Sequence, residues 1–217
     1  MDEQRRRDLV WLHLGFAGLC AVLVPTLPVG AAALVAVVAY EVALLGIALV
    51  RRDALLLRLW WFAATLSVWQ LVPDQILVEV VGSLAFPPDG VPDVGAVTLP
   101  LAGMWAVPAV IVVAVADELH GRHGELAGVL GAALTALVVF AAAEAVVPAL
   151  GLWEPVGVST IGTVAPYILV AEVVLGVVLW LGWRAARTRS AVVTPLLAGT
   201  VSLAYTGAAV VSWYWLG

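Results

Sequence analysis

The sequence contains no lysine and no asparagine, and only one cysteine. Without lysine there is no lysine Schiff base, which excludes a retinal-binding protein of the microbial rhodopsin type. A single Cys20 excludes an internal disulfide and a cysteine-based metal centre. Charge is scarce too: 12% of residues are Asp, Glu, Lys or Arg, and the net charge is −5. No basic run extends beyond Arg5 to Arg7, so no nucleic-acid partner is expected. There is no HExxH, no glycine-rich phosphate loop, and no Ser, His and Asp in a plausible catalytic order. Paired aspartate clusters of the kind that hold magnesium diphosphate are absent, and so is a filter-like segment for a channel. No cofactor and no metal is called for.

What is abundant is apolar surface. Hydrophobic residues make up 64% of the 217, and the mean hydropathy is +1.09. A soluble domain is closer to half apolar. A spanning helix uses roughly 20 apolar residues, so the length accommodates about seven spans and little else. The sequence therefore predicts an all-α, polytopic bundle of seven transmembrane helices, a single integral-membrane domain over 1–217. It reads as a multi-pass protein of the cell membrane, with membrane lipids as its surroundings; its oligomeric state is not fixed by the sequence.

All ten basic residues are arginines, and they sit in every second gap of the hydropathy ladder: Arg5 to Arg7, then Arg51, Arg52 and Arg58, then Arg122, then Arg184, Arg187 and Arg189. The gaps between carry none. Positive charge marks the cytoplasmic side, so the N-terminus is expected in the cytoplasm and the C-terminus outside. The arginines, apolar run and alanines at the start mimic a signal peptide. Apolar residues continue through the cleavage region, however, and predict an uncleaved first helix.

The spans are expected at about Leu9 to Leu27, Val29 to Val50, Leu55 to Leu84, Leu101 to Val115, Leu126 to Leu150, Thr163 to Trp183 and Val192 to Leu216. Pro73 interrupts the third and should kink it. Residues from Phe86 to Pro100 read as turns, and Asp117-Glu118-Leu119-His120 as a short loop. His120 and His123 are three apart, but charged residues are expected at a span end. The ridge Gly124, Gly128, Ala132, Ala136 permits close helix approach, read first as packing within the bundle and second as a dimer seam. Most tryptophans lie near span ends, as interfacial belts do; Trp69 and Trp105 lie deeper.

The informative residues are acids at membrane depth: Asp74, Glu144, Glu172 and Glu41. A charged carboxylate there costs on the order of 3 kcal/mol or more. Each must be protonated, hydrogen-bonded or facing a wet cavity. A protonated acid at neutral pH suits a general acid or proton carrier; the plainer reading is a neutral side chain bonding a neighbouring helix. Asp74 ranks first, ahead of Glu144, Glu172 and Glu41. It follows Pro73, which orphans a carbonyl in the preceding turn, and it shares a helical face with Gln70. Trp69, Gln70, Trp105 and Tyr167 are expected to line a substrate pocket with Asp74, Glu144 and Glu172 as its catalytic acids. Ser202, Tyr205 and Thr206 add hydroxyls at mid-depth in the seventh span.

Trp69-Gln70-Leu71-Val72-Pro73-Asp74, Phe86-Pro87-Pro88-Asp89-Gly90, Gly103-Met104-Trp105 and the run from Ala165-Pro166-Tyr167 to Glu172 together resemble an uncharacterised family of small prokaryotic seven-span membrane proteins. That resemblance covers most of the chain and implies no activity. More loosely, by architecture alone, the layout is similar to small integral-membrane terpene cyclases, such as the compact lycopene cyclases. This likeness implies an enzyme that protonates an isoprenoid olefin or epoxide with a carboxylic acid and guides the cation with aromatic rings. The expectation is an intramembrane acidic and aromatic pocket acting on a lipophilic small-molecule substrate by acid-initiated cyclisation. The alternative is a proton or small-solute carrier, or a non-catalytic accessory protein.

Overall fold

In hydrocarbon every backbone N–H and C=O needs an internal partner, so long apolar runs must become helices. The computed structural model describes residues Met1–Gly217, the Ala149 side chain aside, and has seven helical spans long and apolar enough to cross a membrane. The first two are α1 (Glu3–Thr26) and α2 (Val29–Arg51). The third joins α3 (Ala54–Trp69), α4 (Leu71–Ile76) and a π-helical turn, Leu77–Val81. The fourth joins α5 (Leu101–Met104) and α6 (Ala106–His123); α7 (Glu125–Leu150), α8 (Pro166–Ala186) and α9 (Thr194–Leu216) complete the set.

Caps set several boundaries. The Asp2 carboxylate accepts the Arg5 N–H at 2.8 Å, and Asp53 accepts the N–H groups of Leu55 and Leu56, both at 3.0 Å. The run from Asp117 to His123 is helical, not the short loop expected from its charge. Its carboxylates find arginine or indole donors without leaving the helix: Glu118 pairs with Arg122, and Asp117 with Trp180.

The interruption of the third span also differs in position. The break falls at Gln70, one turn before Pro73. Proline lacks the N–H that would bond the Trp69 carbonyl, and its ring crowds that oxygen. The preceding turn therefore takes the distortion. The orphaned Trp69 carbonyl is met from another span: Ser202 Oγ on α9 donates to it at 2.9 Å and lies 3.0 Å from Gln70 Oε1. Removing that hydroxyl strands a part-buried carbonyl at membrane depth, which costs about 1–2 kcal/mol. Ser202→Ala is expected to lower the thermal midpoint in detergent accordingly, whereas Thr200→Ala, whose hydroxyl bonds only its own helix, should not.

The spans α1, α2, α3, α9, α8 and α7 follow one another around α6, which packs against α3, α7 and α8. The ring is not closed: among the described residues α1 and α7 form no substantial helix–helix contact. A close approach joins α7 to α8. Gly176 lies so near Ala136 and the Ala132 carbonyl that a Cβ there would stand 2.4 Å and 2.8 Å from them. The small-residue ridge of α7 thus faces its own bundle.

The arginine clusters gather at one end. Arg5 pairs with Asp53 at 2.7 Å, Arg51 with Asp8 at 2.9 Å, and Arg184 with Glu125. At the other end the two long connections close over the bundle. β1 (Leu84–Ala85) pairs with β4 (Glu154–Pro155), and β2 (Asp93–Val94) with β3 (Val97–Thr98). Asp89 pins this cap: its carboxylate accepts the Thr98 hydroxyl at 2.6 Å, and its carbonyl accepts the Gly30 N–H of α2 at 3.3 Å. The segment read as plain turns is therefore an ordered cover. Arginine placement predicts which end is cytoplasmic. A C-terminal reporter active only in the cytoplasm should be silent on the full chain, and activity there would reverse the topology.

Candidate functional site

Beneath the cap, at the arginine-free end, lies a cavity of about 310 Å³, within the range of small-molecule sites. Its walls are mostly apolar. Asp74 enters from α4, Glu144 from α7 and Glu172 from α8. Glu172 reaches the space because it lies on the α8 face that holds Gly176 against α7, four residues away. Asp74 reaches it because the break at Gln70 re-aims the turn that follows.

Asp74 and Glu172 are 3% exposed and Glu144 is 7% exposed. Each of two carboxyls holds an indole donor: Trp105 Nε1–H donates a hydrogen bond to Asp74 Oδ2 at 3.2 Å, and Trp153 Nε1–H to Glu144 Oε1 at 3.0 Å. Glu172 Oε2 is buried with no hydrogen-bond partner among the described residues. None of the three has an ion-pair partner there either. Like charges in one apolar space repel, and among the described residues no cation stands beside them.

Aromatic rings frame the acids. The Trp105 ring centroid is 5.7 Å from that of Tyr205 and 5.5 Å from that of Phe140. Tyr167 also lines the cavity, and its hydroxyl donates to Ser83 Oγ at 2.8 Å. Such faces can steady a transient positive charge.

Five of the seven residues singled out in the sequence thus line one cavity: Asp74, Glu144, Glu172, Trp105 and Tyr167. Trp69 and Gln70 do not. Trp69 is 40% exposed, with its indole against Gly199 of α9. Gln70 is fully buried beside Ser202, behind the cavity. The turn at Gln70 rotates these two away from the face that Asp74 presents. Glu41 is also outside the cavity, with both carboxyl oxygens buried and without a hydrogen bond.

Sequence reasoning missed Ser83, Trp153 and Phe140, whereas Tyr205, which it reads as one of the hydroxyls able to converge on the pocket, does line it. Trp153 reads as an interfacial belt residue, and Tyr205 as one hydroxyl among three. Only Tyr205 carried a signal, a polar aromatic in the middle of a span. Ser83 and Trp153 arrive through the cap, where no periodicity exists to be read. The wall facing the acids comes from α1 and α2, through Phe16, Cys20 and Ala36 among others. Across the unclosed seam α7 supplies Val139, Ala143 and Val147.

A family model described as a domain of unknown function (DUF6989) matches residues 71–216. The matched segment contains all three carboxyls, and α1 and α2 lie before it. No curated protein and no solved structure matches the chain.

Proposed function

We propose, from the premise that the chain belongs to the DUF6989 family and that this family's description assigns no activity, that the cavity takes an apolar molecule from the bilayer and that Glu172 protonates it. The observation that carries this reading is the convergence of three carboxyls, without any cation, on one aromatic-walled apolar cavity. An acid kept neutral at neutral pH is a proton donor. A space this poor in polar groups suits a hydrocarbon better than a polar solute. The seam between α1 and α7 supports uptake from the bilayer rather than from water.

The finer proposal is acid-initiated cyclisation of an isoprenoid olefin. The Glu172 O–H bond breaks and its proton forms a C–H bond to one olefin carbon. The other carbon becomes cationic, facing Trp105, Tyr205 and Phe140. A second olefin of the same molecule attacks it and closes a ring. The displaced cation then loses a proton to the Asp74 or Glu144 carboxylate, that proton returns to the Glu172 carboxylate to restore the donor, and the mass is unchanged. Asp74 and Glu144, each already accepting an indole N–H, suit the acceptor role. The carrier alternative finds less support. Tyr40, Leu44, Leu66, Val110 and Leu175, each no more than 1% exposed, fill the level between this cavity and the arginine-bearing end.

The test is expression in a host rich in acyclic isoprenoids, with lipid extracts compared by mass spectrometry between the wild type and Glu172→Gln. A product shifted in retention but equal in mass is expected from the wild type alone. A product heavier by one water would mean hydration instead. Identical extracts, in a host whose acyclic polyprenes are detected, would overturn the reading.

A further inference from the structure

A second cavity, of about 300 Å³, lies at the arginine-bearing end between α1, α3, α6 and α8. It plays no part in the chemistry above, and its argument is independent of it. Its polar rim holds Arg5, Asp117, His120, Trp183 and Arg187. Most of these groups are already engaged. Arg5 is clasped by Asp53 at 2.7 Å and 3.1 Å. Asp117 accepts the Trp180 indole on Oδ1 at 2.9 Å and the Trp183 indole on Oδ2 at 3.1 Å.

Two groups keep capacity to donate. Arg187 forms a long ion pair with Asp117 Oδ2 at 3.5 Å, and among the described residues its guanidinium makes no hydrogen bond, though its side chain is only 31% exposed. A guanidinium has five N–H groups in a planar fork that fits an oxyanion. His120 Nδ1 is buried without a hydrogen bond, with Glu125 Oε2 at 3.7 Å. Asp117, with an indole already on each oxygen, can take only part of that five-donor fork. Arg58 holds the backbone at the same place by donating to the Arg187 carbonyl at 2.5 Å, so the fork is presented from a fixed turn.

The floor differs in kind. Leu9 lies one turn beyond Arg5 in α1, Leu59 one turn beyond Leu55 in α3, and Val113 one turn before Asp117 in α6. All three point the cavity toward the middle of the bundle. Donors with spare capacity for an oxyanion therefore stand above an apolar pit, the complement of an amphiphile with an anionic head.

We propose that this cavity binds the phosphate head of a membrane lipid, with the head on Arg187 and His120 and the upper part of a chain against Leu9, Leu59 and Val113. The same oxyanion chemistry would accept free phosphate, and the pit distinguishes the two sources. The probes are dioctanoyl phosphatidic acid, dioctanoylglycerol and inorganic phosphate, each titrated into the full chain in detergent micelles and followed by calorimetry. Phosphatidic acid is expected to bind at least about tenfold more tightly than either of the others, since one charge-assisted contact and one buried chain segment each contribute on that order. Arg187→Gln should weaken it about tenfold, and Arg187→Lys less, since lysine keeps the charge but not the fork. Should Arg187→Gln fail to give a monodisperse protein, Gly121→Leu reads the same site. Gly121 lines the cavity, a Cβ there meets nothing within 4 Å, and leucine favours the helix. It should displace the lipid without disturbing the fold. Equal affinity for dioctanoylglycerol, or unchanged affinity in both variants, overturns the proposal. Inorganic phosphate binding as tightly as phosphatidic acid overturns the lipid and assigns the site to a soluble phosphate.

Discussion

Glu172→Gln is expected to cut product formation by about 10²–10⁴-fold, the range a positioned general acid contributes, while the cavity still takes up its apolar occupant. Glutamine matches glutamate in shape and cannot donate an acidic proton, so the change isolates proton transfer. Glu172 is preferred over Asp74 on hydrogen bonding. Asp74 and Glu144 are each already engaged by an indole N–H. Glu172 Oε2 has no partner and faces the same space. This reverses the order drawn from the sequence, where the proline beside Asp74 weighed most. Asp74→Asn is expected to cost less than Glu172→Gln, and Glu41→Gln, outside the cavity, to cost nothing in turnover. Product formed per mole of purified protein, measured for all three variants, checks the ranking. A Glu172→Gln protein at the wild-type rate would remove Glu172 from the proposed chemistry.

The second large effect concerns how Glu172 is held. A valine at Gly176 must place its Cβ where Ala136 Cβ is 2.4 Å away and the Ala132 carbonyl 2.8 Å away. Backbone cannot yield there without moving α8 off α7. Overpacking in a tight core costs about 1–3 kcal/mol and sometimes more, and this contact is with main chain, so the upper end is expected. Glu172 sits one turn away on the same face, so the same displacement draws its carboxyl out of the cavity. Gly176→Val should therefore lose thermal stability in detergent and product formation together. Gly46→Ala, where a Cβ meets nothing within 4 Å, should do neither. A Gly176→Val protein with an unchanged thermal midpoint would mean that α7 and α8 are further apart than described.

Parts of the site were legible because local rules create them. Pro73 must orphan the Trp69 carbonyl, whatever the rest of the chain does. That requirement is met by Ser202, whose identity no local rule supplies. The acids announced themselves because a carboxyl at membrane depth is costly enough to need a reason. The placement of Trp69 failed for the opposite reason. Adjacent residues on a helix differ by about 100° in direction, and the turn at Gln70 adds a further rotation, so nearness to Asp74 in sequence did not bring Trp69 to the same wall.

The sequence by itself determined the seven helices and the gathering of the arginines at one end. Both follow from physics that acts on each segment alone: hydrocarbon forbids an unpaired backbone, and guanidinium groups stay out of it. Only the tertiary structure decided which side of each helix faces inward. These spans are apolar on nearly every side, so no stripe marks a buried face. Rotation was set instead by contacts between spans: Gly176 into the alanine ridge of α7, Ser202 onto the Trp69 carbonyl, the cap drawn down on Asp89 and Gly30. Those contacts turn Asp74, Glu144 and Glu172 into one cavity and leave Glu41, Trp69 and Gln70 outside it.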